Sequence, residues 1–84
     1  MARGVIRYWA AAKAAAGVAE EAYDARTLAE ALRNAQRPRD VEFARIIARS
    51  SFLIDGHPAG TRPRDDLELF DGATIEVLPP FAGG

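Results

Sequence analysis

The chain has 84 residues, eleven basic and twelve acidic, for a formal net charge of −1, and 49% of its residues are hydrophobic. A single domain of this size buries only about 60% of the surface that its unfolded chain exposes, which leaves room for one small core and not for a deep cleft. The balanced charge gives no global pull toward nucleic acid or a membrane surface, and the lack of cysteine excludes disulfides, thiolate metal sites and a cysteine nucleophile.

In residues 4–10, Val5, Arg7 and Trp9 alternate with Ile6, Tyr8 and Ala10, and β-branched and aromatic side chains dominate, which predicts a strand. Trp9 is assigned to the core. Residues 11–16 are alanine-rich and predict one or two helical turns ending at Gly17. Residues 18–25 predict a more polar strand, with Glu20, Glu21 and Asp24 marking an exposed edge. Thr27-Leu28-Ala29-Glu30 has the form of a capping box, and Leu28, Ala31, Leu32 and Ala35 then recur on one helical face. Arg37-Pro38 ends that helix. Asp40 caps a further helical segment in which Phe43, Ile46 and Ile47 share a face.

Residues 51–54 predict a strand closed by Asp55-Gly56, and residues 57–64 are rich in turn formers. Residues 67–70 are a short apolar segment. Asp71-Gly72 leads into the last strand, residues 73–78. Two strands before the helices and two after predict an α+β fold: one mixed sheet of four to five strands with helices on one face. The domain is expected to span residues 1–78 and an extended tail residues 79–84. The N-terminal stretch is broken by Lys13, and no run approaches the roughly 20 apolar residues of a membrane span, so the expected compartment is the cytoplasm.

The most informative stretch is the tail, Pro79-Pro80-Phe81-Ala82-Gly83-Gly84. Two prolines stiffen its base, and six residues at about 3.3 Å each can project roughly 20 Å. Gly83 and Gly84 carry no side chain and can enter a channel too narrow for a Cβ. The tail therefore presents a bare carboxylate on a thin probe. A carboxylate is a poor electrophile until joined to AMP as a mixed anhydride. A sulfur nucleophile can then displace AMP and leave a thiocarboxylate, itself a strong nucleophile. Phe81 is expected to anchor the tail in an apolar pocket of a partner. Phe70 and Leu78, with Ile75, are candidates for an apolar patch on the open sheet face, although Ile75 fits the core better. His57 lies among turn residues as a solvated side chain, and a lone histidine is a poor metal ligand, so no metal is expected. The arginines read as scattered surface charge. No glycine-rich loop is present to hold ATP, so this chain is expected to bind no cofactor itself.

Taken together, the opening strand, the Thr27-to-Leu32 helix start, the Leu53-Ile54-Asp55-Gly56 turn and the ending "DGATIEVLPPFAGG" resemble the small sulfur-carrier subunits of molybdopterin synthase, a family of ubiquitin-like β-grasp proteins. The resemblance spans nearly the whole chain. It implies a cycle in which an ATP-dependent activating enzyme adenylates Gly84 and a persulfide donor supplies sulfur. The thiocarboxylated tail, Pro79 to Gly84, would then enter the large synthase subunit and convert cyclic pyranopterin monophosphate to the dithiolene of molybdopterin. It also implies that the chain is no enzyme by itself, and that the partner supplies the other catalytic contacts. The alternatives are a carrier for cysteine or another thiolated metabolite, a ubiquitin-like modifier, and a β-grasp interaction module without covalent chemistry. Lys13 is the only lysine, which makes a chain-building modifier less fitting. Residues 37–50 match no motif of the family.

Overall fold

The computed structural model describes residues 1–80. Along the chain run β1 (Ala2–Tyr8), α1 (Ala10–Ala16), β2 (Glu20–Ala25), α2 (Leu28–Gln36), α3 (Val41–Arg49), β3 (Ser51–Ile54), β4 (His57–Pro58), a 3₁₀ turn (Arg64–Asp66) and β5 (Thr74–Leu78). The five strands form one sheet in the order β2-β1-β5-β3-β4. β5 lies parallel to β1 and antiparallel to β3, so the sheet is mixed, as expected. The charged strand β2 occupies an edge, also as expected.

Alternation along the strands assigns each face. Ala2, Ile6 and Tyr8 of β1, Tyr23 and Ala25 of β2, Phe52 of β3, and Ile75 and Val77 of β5 are buried with Leu28, Ala31 and Leu32 of α2 and Phe43 and Ile47 of α3. This is the helix-covered face. The opposite face carries Val5 and Arg7, Ala22 and Asp24, Leu53, and Thr74, Glu76 and Leu78, none of them buried.

Local chemistry explains the boundaries. The Thr27 hydroxyl accepts from the Glu30 N–H at 3.2 Å, while the Glu30 carboxylate accepts from the Arg26 N–H at 2.7 Å. That is the reciprocal cap the sequence predicts, with the return bond shifted one residue upstream. Asp40 caps α3 through the Phe43 N–H at 3.2 Å. β3 and β4 are joined by Asp55-Gly56 with φ of 50° and 82°, the two positive values that a type I′ hairpin turn requires. At Gly4 the constraint is space: a Cβ would collide with the Ala73 carbonyl oxygen and would lie 2.6 Å from the Tyr23 hydroxyl. The Tyr23 hydroxyl donates to that same carbonyl at 2.8 Å, so the missing side chain lets β2 reach across β1 to the start of β5.

Arg39 corrects the reading of the arginines as scattered surface charge. Its side chain is only 13% exposed. Its guanidinium donates to the Ala16 carbonyl (3.1 Å), the Ala35 carbonyl (2.8 Å) and the Glu21 carboxylate (2.7 Å). It also lies 5.6 Å from the Tyr8 ring centre and 5.0 Å from that of Phe43. Tyr8 donates to the same Glu21 carboxylate and packs edge-on against Phe43. One side chain therefore satisfies the terminal carbonyls of α1 and α2 and ties them to β2. Residues 37–50, which match no motif, provide this joint.

Candidate functional site: the sheet edge of the tail

β5 is the central strand and leads directly to the tail. It is held on both sides, by β1 in the register Val5↔Thr74 to Tyr8↔Val77, and by β3 in the register Ile54↔Ile75 to Ser51↔Leu78. Its start is held as well: the Asp55 carboxylate accepts from the Thr74 N–H at 2.9 Å, and the Asp55 N–H donates to the Thr74 carbonyl at 2.9 Å. The point where the tail departs is thus fixed by a neighbouring strand on each side. Leu78 and Pro79 are half-buried and Pro80 is exposed. Phe81, Ala82, Gly83 and Gly84, which the sequence singles out, lie outside the described residues.

Trp9 sits beside this exit. The sequence assigns it to the core, and the structure overturns that: Trp9 is 47% exposed. The reason is the period of the strand. Ile6 and Tyr8 point to the helices, which sends Arg7 and Trp9 to the other face. The chain then turns at once into α1 through Ala10, whose φ of 49° is left-handed and costs a non-glycine residue about 1–2 kcal/mol. The Trp9 backbone N–H donates to the Val77 carbonyl at 3.2 Å, and its indole N–H donates to Glu76 Oε1 at 3.1 Å. The ring is therefore oriented on the open face next to the end of β5. The signal that would have found it was the alternation itself.

Of the proposed patch residues, Ile75 is fully buried in the core. Leu78 lies on the open face with Leu53 and Val5. Phe70 is 75% exposed, but it precedes β5 and stands at the end of that strand opposite the tail. Leu67 and Leu69 turn inward and the alternation sends Phe70 out; the segment is fixed by the Leu69 N–H to the Arg26 carbonyl and by the Leu28 N–H to the Leu67 carbonyl, each 2.9 Å. The structure thus brings Trp9 and Leu78 to one end and leaves Phe70 at the other. His57 is exposed, as expected. Among the described residues no cluster of three histidine or acidic side chains is placed to hold a metal, and no helix is long and apolar enough to cross a membrane.

A family model described as the ThiS family matches residues 6–84. The chain belongs to the ThiS family. Its solved structural neighbours establish the fold as a ubiquitin-like β-grasp. Small archaeal modifier protein 1 from Methanosarcina acetivorans superposes with a TM-score of 0.81 at 22% identity, covering 100% of this chain and 98% of its own. A putative molybdopterin converting factor subunit 1 from Pyrococcus furiosus gives 0.76 at 22% identity over 96% and 100% of the two chains. A protein–protein complex of subunits 1 and 2 of the molybdopterin-converting factor from Helicobacter pylori contains a chain that gives 0.69 at 21% identity over 98% and 99%. No curated protein matches the sequence.

Proposed function

We propose that this ThiS-family chain carries sulfur as a thiocarboxylate on Gly84 and donates it as the small subunit of molybdopterin synthase. The supporting observation is the family match, which runs through the Gly-Gly sequence to residue 84, on a fold whose central strand leads into Pro79-Pro80. In this reading an activating enzyme transfers AMP from ATP to the Gly84 carboxylate and releases pyrophosphate. The terminal sulfur of a persulfide then displaces AMP to give an acyl disulfide, and a second thiol of the activating partner cleaves its S–S bond, leaving the thiocarboxylate on Gly84 and a disulfide on the partner. The tail from Pro79 to Gly84 enters the large subunit, Phe81 seats in an apolar pocket there, and Leu78 and Trp9 meet the partner around the point of entry. ATP and the sulfur donor belong to the activating partner, and the cycle runs in the cytoplasm. The likeness to subunit 1 of two molybdopterin-converting factors favours a large-subunit partner over a carrier for cysteine.

A second reading is a protein modifier, favoured by the likeness to a small archaeal modifier protein. Intact-mass spectrometry after incubation with activating enzyme, ATP and a sulfur donor separates the two. The carrier gains the mass difference between sulfur and oxygen. The modifier instead appears joined to lysines of other proteins. Deleting Gly84 is expected to abolish sulfur loading while leaving the thermal melt unchanged. Loading that survives the deletion rules out the Gly84 mechanism.

A further inference from the structure

A groove of about 530 Å³ opens between the start of β3 and the loop that follows β4. Its apolar part is Phe52, Leu53, Pro58 and Ala59, and its polar part is hydroxyls and the two arginines Arg62 and Arg64. No acidic side chain lines it. In a chain with twelve acidic residues against eleven basic ones, this is a marked local imbalance. The Arg64 guanidinium lies 4.5 Å from the Phe52 ring centre, which holds it over the groove. Neither Arg62 nor Arg64 has an ion pair among the described residues, whereas the neighbouring Asp65 is turned away toward Arg33 at 3.7 Å. The groove also adjoins the tail: Ser51, on its wall, pairs with Leu78, the last residue of β5.

We propose that this groove is a docking site for an acidic, partly apolar segment of a protein partner, with Arg62 and Arg64 receiving its carboxylates and Leu53, Pro58 and Ala59 receiving its apolar side chains. Arginine suits the task because its planar fork binds a carboxylate through two parallel hydrogen bonds. A lone phosphate is the poorer fit, since the apolar side chains of Leu53, Pro58 and Ala59 share the lining with the arginines. The site gives the chain a charge-based means of choosing which protein approaches the tail, separate from the apolar surface around Trp9 and Leu78. Such complementarity acts through partner selection and encounter rate.

The experiment uses the isolated chain, so it is independent of sulfur transfer. The ¹⁵N-labelled protein is titrated with the acetylated peptide Glu-Asp-Leu-Glu-Asp-Leu and, separately, with inorganic phosphate. The expected result is saturable peptide-induced shifts at Ser50, Ser51 and the amides of residues 59–62 and 64. Binding should be about tenfold weaker or more in R62Q/R64Q, the loss expected when charge-assisted hydrogen bonds are removed. The control R37Q/R45Q, at the end of α2 and on α3, should bind as the unaltered chain does. Phosphate should produce no saturable shifts. Shifts spread over all arginine-bearing surfaces, equal binding by R62Q/R64Q, or no binding overturns the proposal. Phosphate binding as tight as the peptide overturns the peptide assignment in favour of an anion site.

Discussion

The two faces of the sheet treat polar groups in opposite ways. On the helix-covered face every buried side-chain polar atom of the described residues has a hydrogen-bond partner. Arg39, Glu21 and Tyr8 close a circuit there, and Tyr23 reaches the Ala73 carbonyl across Gly4. On the open face a tryptophan is half out in solvent, held in orientation by one bond to Glu76, and at the adjoining edge two arginines stand without ion-pair partners among the described residues. The first arrangement is complete within the chain and fixes the fold. The second leaves its side chains available to another surface. The difference teaches that burial and satisfaction, more than residue type, separate the side chains that maintain this domain from those available to a partner: an arginine does the first job at position 39 and is free for the second at 62 and 64.

The strongest way to break this contrast is at Arg39. Replacing it by methionine keeps the apolar stem over Tyr8 and Phe43 and removes every donor. The Ala16 and Ala35 carbonyls then lose this donor, and the Glu21 carboxylate keeps only the Tyr8 hydroxyl. Removing one member of a buried pair costs about 3–5 kcal/mol, and because the Glu21 side chain is 31% exposed we expect about 2–3 kcal/mol here. That corresponds to a fall of roughly 10–20 °C in melting temperature for a domain of this size. Adding Glu21→Gln should restore part of the loss, since the uncompensated charge is then gone. A melt that does not change would show that the circuit is not what fixes the helices. Sulfur loading at a temperature where the variant is still folded should be normal.

Much of this was legible in the sequence, and the parts that were not share a physical reason. The caps at Thr27 and Asp40, the Asp55-Gly56 turn and strand β3 are set by neighbours within four residues, so local chemistry reveals them. Arg39 was not legible because its partners come from positions 16, 21 and 35, which only the packed helices bring together. Strand β4 is two residues long and contains Pro58, so it has no periodicity to detect. The groove at Arg62 and Arg64 was missed for the same reason as Arg39: the charge stands out only against Phe52, Leu53 and Ser51 of another strand. The Gly-Gly sequence draws attention because the chemistry proposed for it needs backbone alone, and it lies outside the described residues.

On the open face the expected effects fall on binding and not on stability. Trp9→Ala removes a half-exposed ring whose one side-chain hydrogen bond among the described residues is to Glu76. Its melt should stay within about 1 kcal/mol of the unaltered protein, while truncation of an aromatic anchor typically costs an interface about 2 kcal/mol or more. Titration calorimetry against the large synthase subunit should therefore show at least about tenfold weaker binding. Phe70→Ala is the matched control. It is more exposed than Trp9 but stands at the far end of β5, so its effect on affinity should be smaller. Equal losses at both positions would extend the partner surface along the full strand. A loss at Phe70 alone would move it away from the tail and remove Trp9 from the reading.

The smallest effect concerns pH, and it again divides the faces, because both tyrosines of the chain lie on the helix-covered side. Burial raises the Tyr8 hydroxyl well above its ordinary value, with the bonded Glu21 adding to the shift. Burial also raises Tyr23 above 10.0, reinforced by the Asp55 and Asp71 carboxylates. In the unfolded chain these protons leave first, so above about pH 10 the unfolded state binds fewer protons than the native one. Stability should therefore be constant below that pH and decline as pH rises through the native-state pKa values. Tyr23→Phe should cost about 1 kcal/mol at neutral pH through the lost bond to Ala73, and should flatten the alkaline decline. Denaturant midpoints from about pH 8 to about pH 11 check both. A slope unchanged by Tyr23→Phe would mean that Tyr23 ionises in the fold as freely as it does in the unfolded chain. Trp9→Ala, which touches only the open face, should leave the slope as it was.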